Sequence, residues 1–481
     1  MGQKKGSCVD KRRRPSGEAA DRCIASGEWD GAFERYQKAV PEQTVRDMLL
    51  RQTAFSREGP LSAWLVIWLM IFQRLDPNGS LSAAVCHLLT GPARKFVREP
   101  EDMATPGLSA NTSAYSQARC KLPLRTAQQV SQLIFESLQQ QPRTFPGLDR
   151  PVFLLDGSTI LVAHSPALAV ACPPQRNRHG VSHWPTMRVL VAHDVISGLA
   201  APPCWGPVNG PASVSEQGLA KEMINRLPED CGIMGDRNFG VFSMAYHAAA
   251  RHHPVLFRLT EVRATKVNGG IIAPPAGTDK EICWRPSRED LRNNPEIPAA
   301  ALITGRLLTC RVRDANGKGQ KLYFFTTFIL PAEEIPRAYG HRWNIETDLR
   351  SLKREVRLHM LDVRSPDMAA KELVLGVAAY NLTRAAMNHA GSALGLDPRQ
   401  FSFSRTQDIL NAYLPLFANA TSDGQRQQLM QEMLRVFSQS KLPQRRNRPA
   451  YPREVWPRGC PFPKRKDATK QPASSHDGEI A

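Results

Sequence analysis

Tyr339-Gly340-His341-Arg342-Trp343-Asn344-Ile345-Glu346-Thr347-Asp348-Leu349-Arg350-Ser351-Leu352-Lys353 is the stretch on which the reading of this chain turns. Its composition predicts one long amphipathic helix over Ala332–Leu358. At about 100° per residue, Tyr339, Arg342, Glu346 and Lys353 fall at roughly 0°, 300°, 340° and 320°, all on one narrow face. Ile345, Leu349, Leu352 and Val356 fall at roughly 240°, 280°, 220° and 260°, an apolar stripe beside that face. Arg350, Arg354 and Arg357, at roughly 20°, 60° and 0°, lengthen the cationic side into a strip that suits a phosphate backbone. A lone ExxxxxxK spacing belongs to any solvated helix. A phenol, a guanidinium, a carboxylate and an amine on one face are a more particular arrangement.

Upstream, two aspartates each follow an apolar, β-prone run. Val152–Leu155 leads into Asp156-Gly157-Ser158-Thr159, with a further run at Ile160–Ala163. Gly232–Met234 leads through Gly235 into Asp236-Arg237-Asn238-Phe239. If the two strands are neighbours, the carboxylates converge. In-line displacement at a phosphodiester needs an activated nucleophilic oxygen and a neutralised leaving oxygen, which two magnesium ions about 3.5 to 4 Å apart accomplish together. Hard carboxylate oxygens suit that cation.

Tyr339-x2-Arg342-x3-Glu346-x6-Lys353 resembles the signature of the insertion-sequence-four family of DDE transposases, the group containing the transposon-five enzyme, with no position missing. The Asp156-Gly157 and Asp236-Arg237-x-Phe239 segments match it too, and a looser likeness runs over about residues 45–400. The resemblance implies an α/β fold: a ribonuclease-H-like mixed sheet flanked by helices, with aspartates on adjacent strands and the glutamate on a helix across the sheet. It implies that Asp156, Asp236 and Glu346 are catalytic and hold two Mg2+ ions, with Mn2+ as a substitute. Tyr339, Arg342 and Lys353 would contact the transposon end. In the transposon-five relative a tryptophan of a β insertion stacks on a flipped base. Trp284 is the only tryptophan in the corresponding stretch, where a buried indole is the ordinary alternative. The expected activity is cut-and-paste DNA transposition at terminal inverted repeats, by a homodimer in a synaptic complex with target DNA. The rival readings are a catalytically silent DNA-binding protein derived from a transposase, and a ribonuclease-H-like nuclease without strand transfer.

The rest of the chain organises around this core. Residues 1–40 read as a basic tail and 41–148 as an all-helical N-terminal DNA-binding domain. Within it, Leu61–Leu75 is a buried core helix, Ser80 caps Leu81–Leu89, Gly91-Pro92 ends that helix, Glu99–Ser113 is a linker and Leu124–Gln141 is helical. Trp64 and Trp68, among Leu65, Ile67, Leu69 and Ile71, read as core and not as a base-stacking platform. Residues 149–395 form the catalytic domain, with strands at Met187–His193, Pro254–Leu259 and Tyr323–Phe328, and helices at Gln217–Leu227, Ser243–Arg251 and Ala369–Asn388. A β-rich insertion spans about 262–320. Residues 396–440 form a helical C-terminal region, and 441–481 a basic, Pro-rich disordered tail.

Lysine and arginine total 63 against 45 acidic residues, a formal charge of +18 over 481 residues that favours a polyanionic partner. Nine basic residues (Lys441, Arg445, Arg446, Arg448, Arg453, Arg458, Lys464, Arg465, Lys466) against Glu454 concentrate that charge near the C-terminus. The longest apolar run, Trp64–Phe72, is about half of the roughly 20 residues that span a bilayer, and Met1–Arg14 has no secretory apolar core. A cytoplasmic, nucleoid-associated protein with no membrane partner is the expectation. The 10 cysteines include no CxxC pair and read as reduced. His179 and His183 share an HxxxH spacing, but their surroundings read as loop, so no metal is expected there.

Overall fold

The computed structural model describes residues 31–52, 61–97, 110–139, 144–177, 180–313 and 319–442. Most of the basic C-terminal stretch, the first 30 residues, most of the Glu99–Ser113 linker and His179 lie outside the described residues.

Among the described residues six α-helices precede the sheet: α1 (Ala32–Ala39), α2 (Glu42–Leu50), α3 (Ala63–Leu75), α4 (Leu81–Thr90), α5 (Ser113–Lys121) and α6 (Leu124–Leu138). Helix α3 buries every residue but Arg74. Ser62 and Ser80 cap α3 and α4, their hydroxyls accepting from Leu65 N at 3.3 Å and Ala83 N at 3.0 Å, each such cap worth about 1 kcal/mol. Helix α1 corrects the expected tail. Ala32, Phe33 and Tyr36 bury one of its faces, Tyr36 Oη donates to the Trp64 carbonyl at 2.7 Å, and Trp64 Nε1 donates to that of Val40 at 2.7 Å. Trp64 and Trp68 are core residues, 2% and 0% exposed.

The sheet has nine strands: β1 (Val152–Val162), β2 (Thr186–Asp194), β3 (Cys204–Pro207), β4 (Gly232–Gly235), β5 (Val255–Leu259), β6 (Asp279–Trp284), β7 (Ile303–Arg313), β8 (Gly319–Thr326) and the short β9 (Met360–Leu361). Its order is β3-β2-β1-β4-β5-β8-β7-β6, with β9 parallel to the far end of β1. The first three strands pair antiparallel, and β1, β4 and β5 pair parallel. These five make a ribonuclease-H-like core. The β-rich insertion supplies β6, β7 and the start of β8, which continue the same sheet, together with helical turns at Glu261–Val267 and Arg288–Asn293.

Strand β1 also departs from expectation. The sequence suggests two runs broken at Asp156, but β1 is continuous, with Asp156, Gly157 and Ser158 paired to Val191, Leu190 and Val189 of β2. Pairing to a long neighbour outweighs the weak strand propensity of Asp and Gly. The period-2 alternation sends Phe153 and Leu155 to one core with α7 (Glu216–Arg226) and α8 (Phe242–Ala249), and Val152 and Leu154 to another that contains Tyr339 and Ile345.

The predicted helix over Ala332–Leu358 is three pieces. Helix α9 (Ile335–Gly340) meets α10 (Trp343–Arg350) through tight bonds from Arg342 N to Tyr339 O and Asn344 N to His341 O, each 2.9 Å. A π-helical turn, Ser351–Glu355, follows. Over-tight and then over-wide winding replaces the uniform angular step, although Ile345, Leu352 and Val356 are still buried. Helix α11 (Pro366–Leu394) runs 29 residues from a Ser365 cap to Gly395, whose φ of +61° makes a left-handed end. It packs against α3 and α6, and α12 (Phe403–Asn419) and α13 (Asp423–Gln439) complete that helical core.

Asp348 of α10 is the anchor between these layers. Arg399 clamps it with two bonds of 2.7 and 3.0 Å, Arg384 of α11 pairs with the same carboxylate, and Arg384 Nε donates to Tyr380 Oη at 2.9 Å. Burial pushes the Asp348 pKa up, but Arg384, Arg399 and His193 outweigh it and hold the group below the ordinary carboxylate value. Removing one partner of a buried pair strands the other charges. Asp348→Ala is therefore expected to cost about 3–5 kcal/mol in denaturant unfolding. A loss under about 1 kcal/mol, the size of a surface pair, would contradict the anchoring role.

Candidate active site

The parallel pairing of β1 with β4 runs from Val152↔Gly232 to Leu155↔Gly235, where β4 stops. The next residues in register are Asp156 and Asp236. The two aspartates, 80 positions apart, are thus neighbours at the place where β1 loses its partner on that side. Each is held by local backbone. Gly157 N donates to Asp156 Oδ1 at 2.8 Å, and Asn238 N donates to Asp236 Oδ1 at 2.8 Å. Gly240 lets the Asp236 turn lie against β5, since a Cβ there would stand 2.1 Å from the Arg258 carbonyl oxygen.

Burial pushes the Asp156 pKa up to about 6, helped by the charges of Asp236 and Glu216 and opposed by the Gly157 N–H and Arg342. An ionised carboxylate short of water, with two more acids near it, is one whose charge a cation would relieve.

Glu346 lies on α10, exposed, its Oε1 3.3 Å from Arg342 Nη2. Arg342 is therefore within electrostatic reach of both Glu346 and Asp156. Tyr339 is a packed phenol, 7% exposed, its ring 4.9 Å from that of Phe324. Burial raises its pKa, with Arg342 and Arg258 acting against this. The π turn brings Lys353 Nζ to 3.1 Å from Ser158 Oγ, two residues beyond Asp156. Among the described residues no three His, Cys, Asp or Glu side chains are drawn tightly enough together to hold a metal. Glu346 is paired with Arg342.

The other expected residues are distributed differently. Arg350 and Arg354 are exposed on the outer face. Arg357, at φ +60°, donates to the carbonyls of Gln73, Asp76 and Pro77 and so ties the π turn to the loop after α3. Trp284 is 7% exposed and packs edge-on against Phe325 at 4.8 Å. Its rim helps line a groove of about 820 Å³ whose cations are Lys221, Arg263, Lys266 and Arg285.

Sequence reasoning passed over three residues here. Glu216, the first residue of α7, lies against Gly157 and accepts from Asn238 Nδ2 at 2.6 Å. Asn238 serves both acids, which no spacing in the sequence announces. Trp343, 64% exposed and stacked under Arg342 at 5.2 Å, carried a signal that was available: it falls at roughly 40° on the wheel, outside the apolar stripe.

A ribonuclease-H-like sheet that sets two acids side by side where the parallel pairing of its central strands ends, with a further acid on the helix across it, is the scaffold of the DDE transposases. The family described as Transposase DDE domain matches residues 147–382 of this chain. The transposase InsG for insertion sequence element IS4, from Escherichia coli strain K12, is 24% identical over 322 residues, covering 64% of this chain and 68% of that protein. These matches support a DDE transposase of the insertion-sequence-four family with the function of a DNA transposase, a nucleic-acid-cleaving enzyme. No described helix is long and apolar enough to cross a membrane.

The raised Asp156 pKa has a stability consequence. The fold binds this proton more tightly than the unfolded chain, so stability falls as pH rises from about 4 through about 6. Above that window the ionised group costs on the order of 2 kcal/mol. Asp156→Asn is expected to raise the Tm by a few degrees at about pH 7.5 and by nothing at about pH 4. An equal gain at both pH values would show that charge is not its cause.

Proposed function

We propose that the protein carries out cut-and-paste transposition of an insertion sequence, cleaving DNA at terminal inverted repeats with water and then joining the freed 3′-hydroxyl to target DNA. Asp156, Asp236 and Glu346 are the catalytic carboxylates in this reading. The observation that carries it is the Leu155↔Gly235 register, which sets the two aspartates side by side at an open strand end. Hard oxygen donors with a partly desolvated, proton-retaining member fit a divalent cation. Two magnesium ions bound there, or manganese in their place, would supply an activated attacking oxygen and a neutralised leaving oxygen.

The chain's own residues supply the rest. Asp156 and Asp236 hold their charge in place through Gly157 N–H and Asn238 N–H. Glu346 would help hold the cation once free of Arg342, whose guanidinium would then take a phosphate oxygen of the transposon end. Lys353, bonded to Ser158, keeps a positive charge beside the scissile phosphate, and Tyr339 packs the base of the same wall. Arg350 and Arg354 extend the contact along the backbone. Trp284 and Arg357 reach DNA only after leaving the contacts they now make. The groove lined by Lys221, Arg263, Lys266 and Arg285 favours the same polyanion. Two copies, each holding one end, form the working complex in the cytoplasm, with residues 41–148 recognising the ends.

The test incubates the full chain with end-containing DNA and magnesium. Asp156→Ala, Asp236→Ala and Glu346→Ala are each expected to lower cleavage at least about 100-fold. Undiminished cleavage in all three would remove this site. Free ends without strand-transfer joints would identify a nuclease, and tight binding without cleavage by the wild type a silent regulator.

Cleavage has an acid limit as well. Protonation of Asp156 competes with the cation, so the Mg2+ concentration needed for half-maximal cleavage rises as pH drops through about 6. A Mg2+ requirement unchanged between about pH 7.5 and about pH 5 would place Asp156 outside the cation site.

A further inference from the structure

Glu216 has no place in the three-acid reading, yet the fold builds around it. It is the first residue of α7, following the Ser215 cap, whose hydroxyl accepts from Gly218 N at 2.9 Å. The carboxylate lies against the backbone of Gly157: a Cβ on that glycine would stand 2.5 Å from Glu216 Cδ and 2.7 Å from Oε1. Gly157 is what leaves room for it. Helix α7 packs on the face of β1 opposite to α10, so Glu216 approaches β1 from that other face.

Asn238 fixes the arrangement. Its backbone N–H donates to Asp236 Oδ1 at 2.8 Å while its side-chain amide donates to Glu216 Oε2 at 2.6 Å. Gln217 Nε2 donates in turn to the Asn238 carbonyl at 2.8 Å. One residue thus joins the second aspartate to Glu216, and no donor among the described residues reaches Glu216 Oε1. A carboxylate without a basic partner, set against two others by a glycine and an asparagine, gains nothing as a structural ion pair. It does add charge to a cation site.

We propose that Glu216 is a fourth carboxylate of the cation site, supplying charge from the α7 side and fixing Asp236 through Asn238. This rests on the reading of Asp156 and Asp236 as cation holders, so the experiment separates the two. Mn2+ alone is titrated into the full chain without DNA, and free Mn2+ is followed by electron paramagnetic resonance. Glu216→Gln keeps an oxygen to accept from Asn238 and removes only the charge. Gly157→Ala keeps the charge and displaces the carboxylate. Each is expected to weaken Mn2+ binding by about 10-fold or more, with the thermal midpoint of Glu216→Gln no lower than that of the wild type. Asp156→Asn is expected to weaken it further. Wild-type affinity in Glu216→Gln alongside weakened binding in Asp156→Asn would overturn the role of Glu216 and leave the aspartates standing. Wild-type affinity in both would overturn the site itself and this inference with it.

Discussion

The parallel pairing of β1 with β4, and its end at Gly235, is the constraint on which the rest of the molecule depends. Parallel strands in register carry equivalent residues side by side, so an acid one step past the last pair on each strand meets the other with no further design. Shortening β4 rather than β1 matters as much. Strand β1 continues along β2 for its whole length, so Asp156 sits on a rigid, fully paired backbone while one flank stays open. A rigid bed and a free approach come from one asymmetry of strand length. Elements distant in sequence then serve that point: α10 closes one face, α7 closes the other, and the π turn delivers Lys353 to Ser158.

Gathering acids at one point opposes folding, since each desolvated charge raises the cost of the next. The molecule meets this with two acidic environments of opposite character. Asp348 is fully buried and fully satisfied, with Arg384 and Arg399 holding its pKa down. Asp156, on β1, has no such partner, and its pKa is raised to about 6. One carboxylate holds the layers together, and the other is left wanting a cation. The Arg342–Glu346 pair lies between these extremes, exposed and therefore cheap to break.

Much of this could be read from residues whose signals are local. Ser62 and Ser80 precede apolar runs and cap the helices that follow. Asp156 and Asp236 follow apolar runs, and the spacing from Tyr339 to Lys353 marked a segment that packs in one core with β1. What escaped depends on partners far along the chain. Helix α1 looks like tail until Trp64 is there to accept from Tyr36 and to donate to the Val40 carbonyl. The continuity of β1 through Asp156-Gly157 is imposed by β2. Asp348 looks like one more polar residue of a solvated helix, because Arg384 and Arg399 are 36 and 51 positions away. Glu216 looks like an ordinary first-turn acid, favourable at any helix N-terminus.

The helical wheel shows how a segment can be located in the sequence while its winding is not. Uniform winding would set Tyr339, Arg342, Glu346 and Lys353 on one solvent-facing strip. The tight junction at His341–Arg342 and the wide turn at Ser351–Glu355 instead divide them by depth: Tyr339 buried, Arg342 and Lys353 half-buried, Glu346 exposed. That gradation suits a site that must accept a phosphate from outside and present charge from inside. A straight helix would hold the four groups at one level. The departures from regular winding, which no periodicity reveals, are what turn a surface pattern into a wall around Asp156.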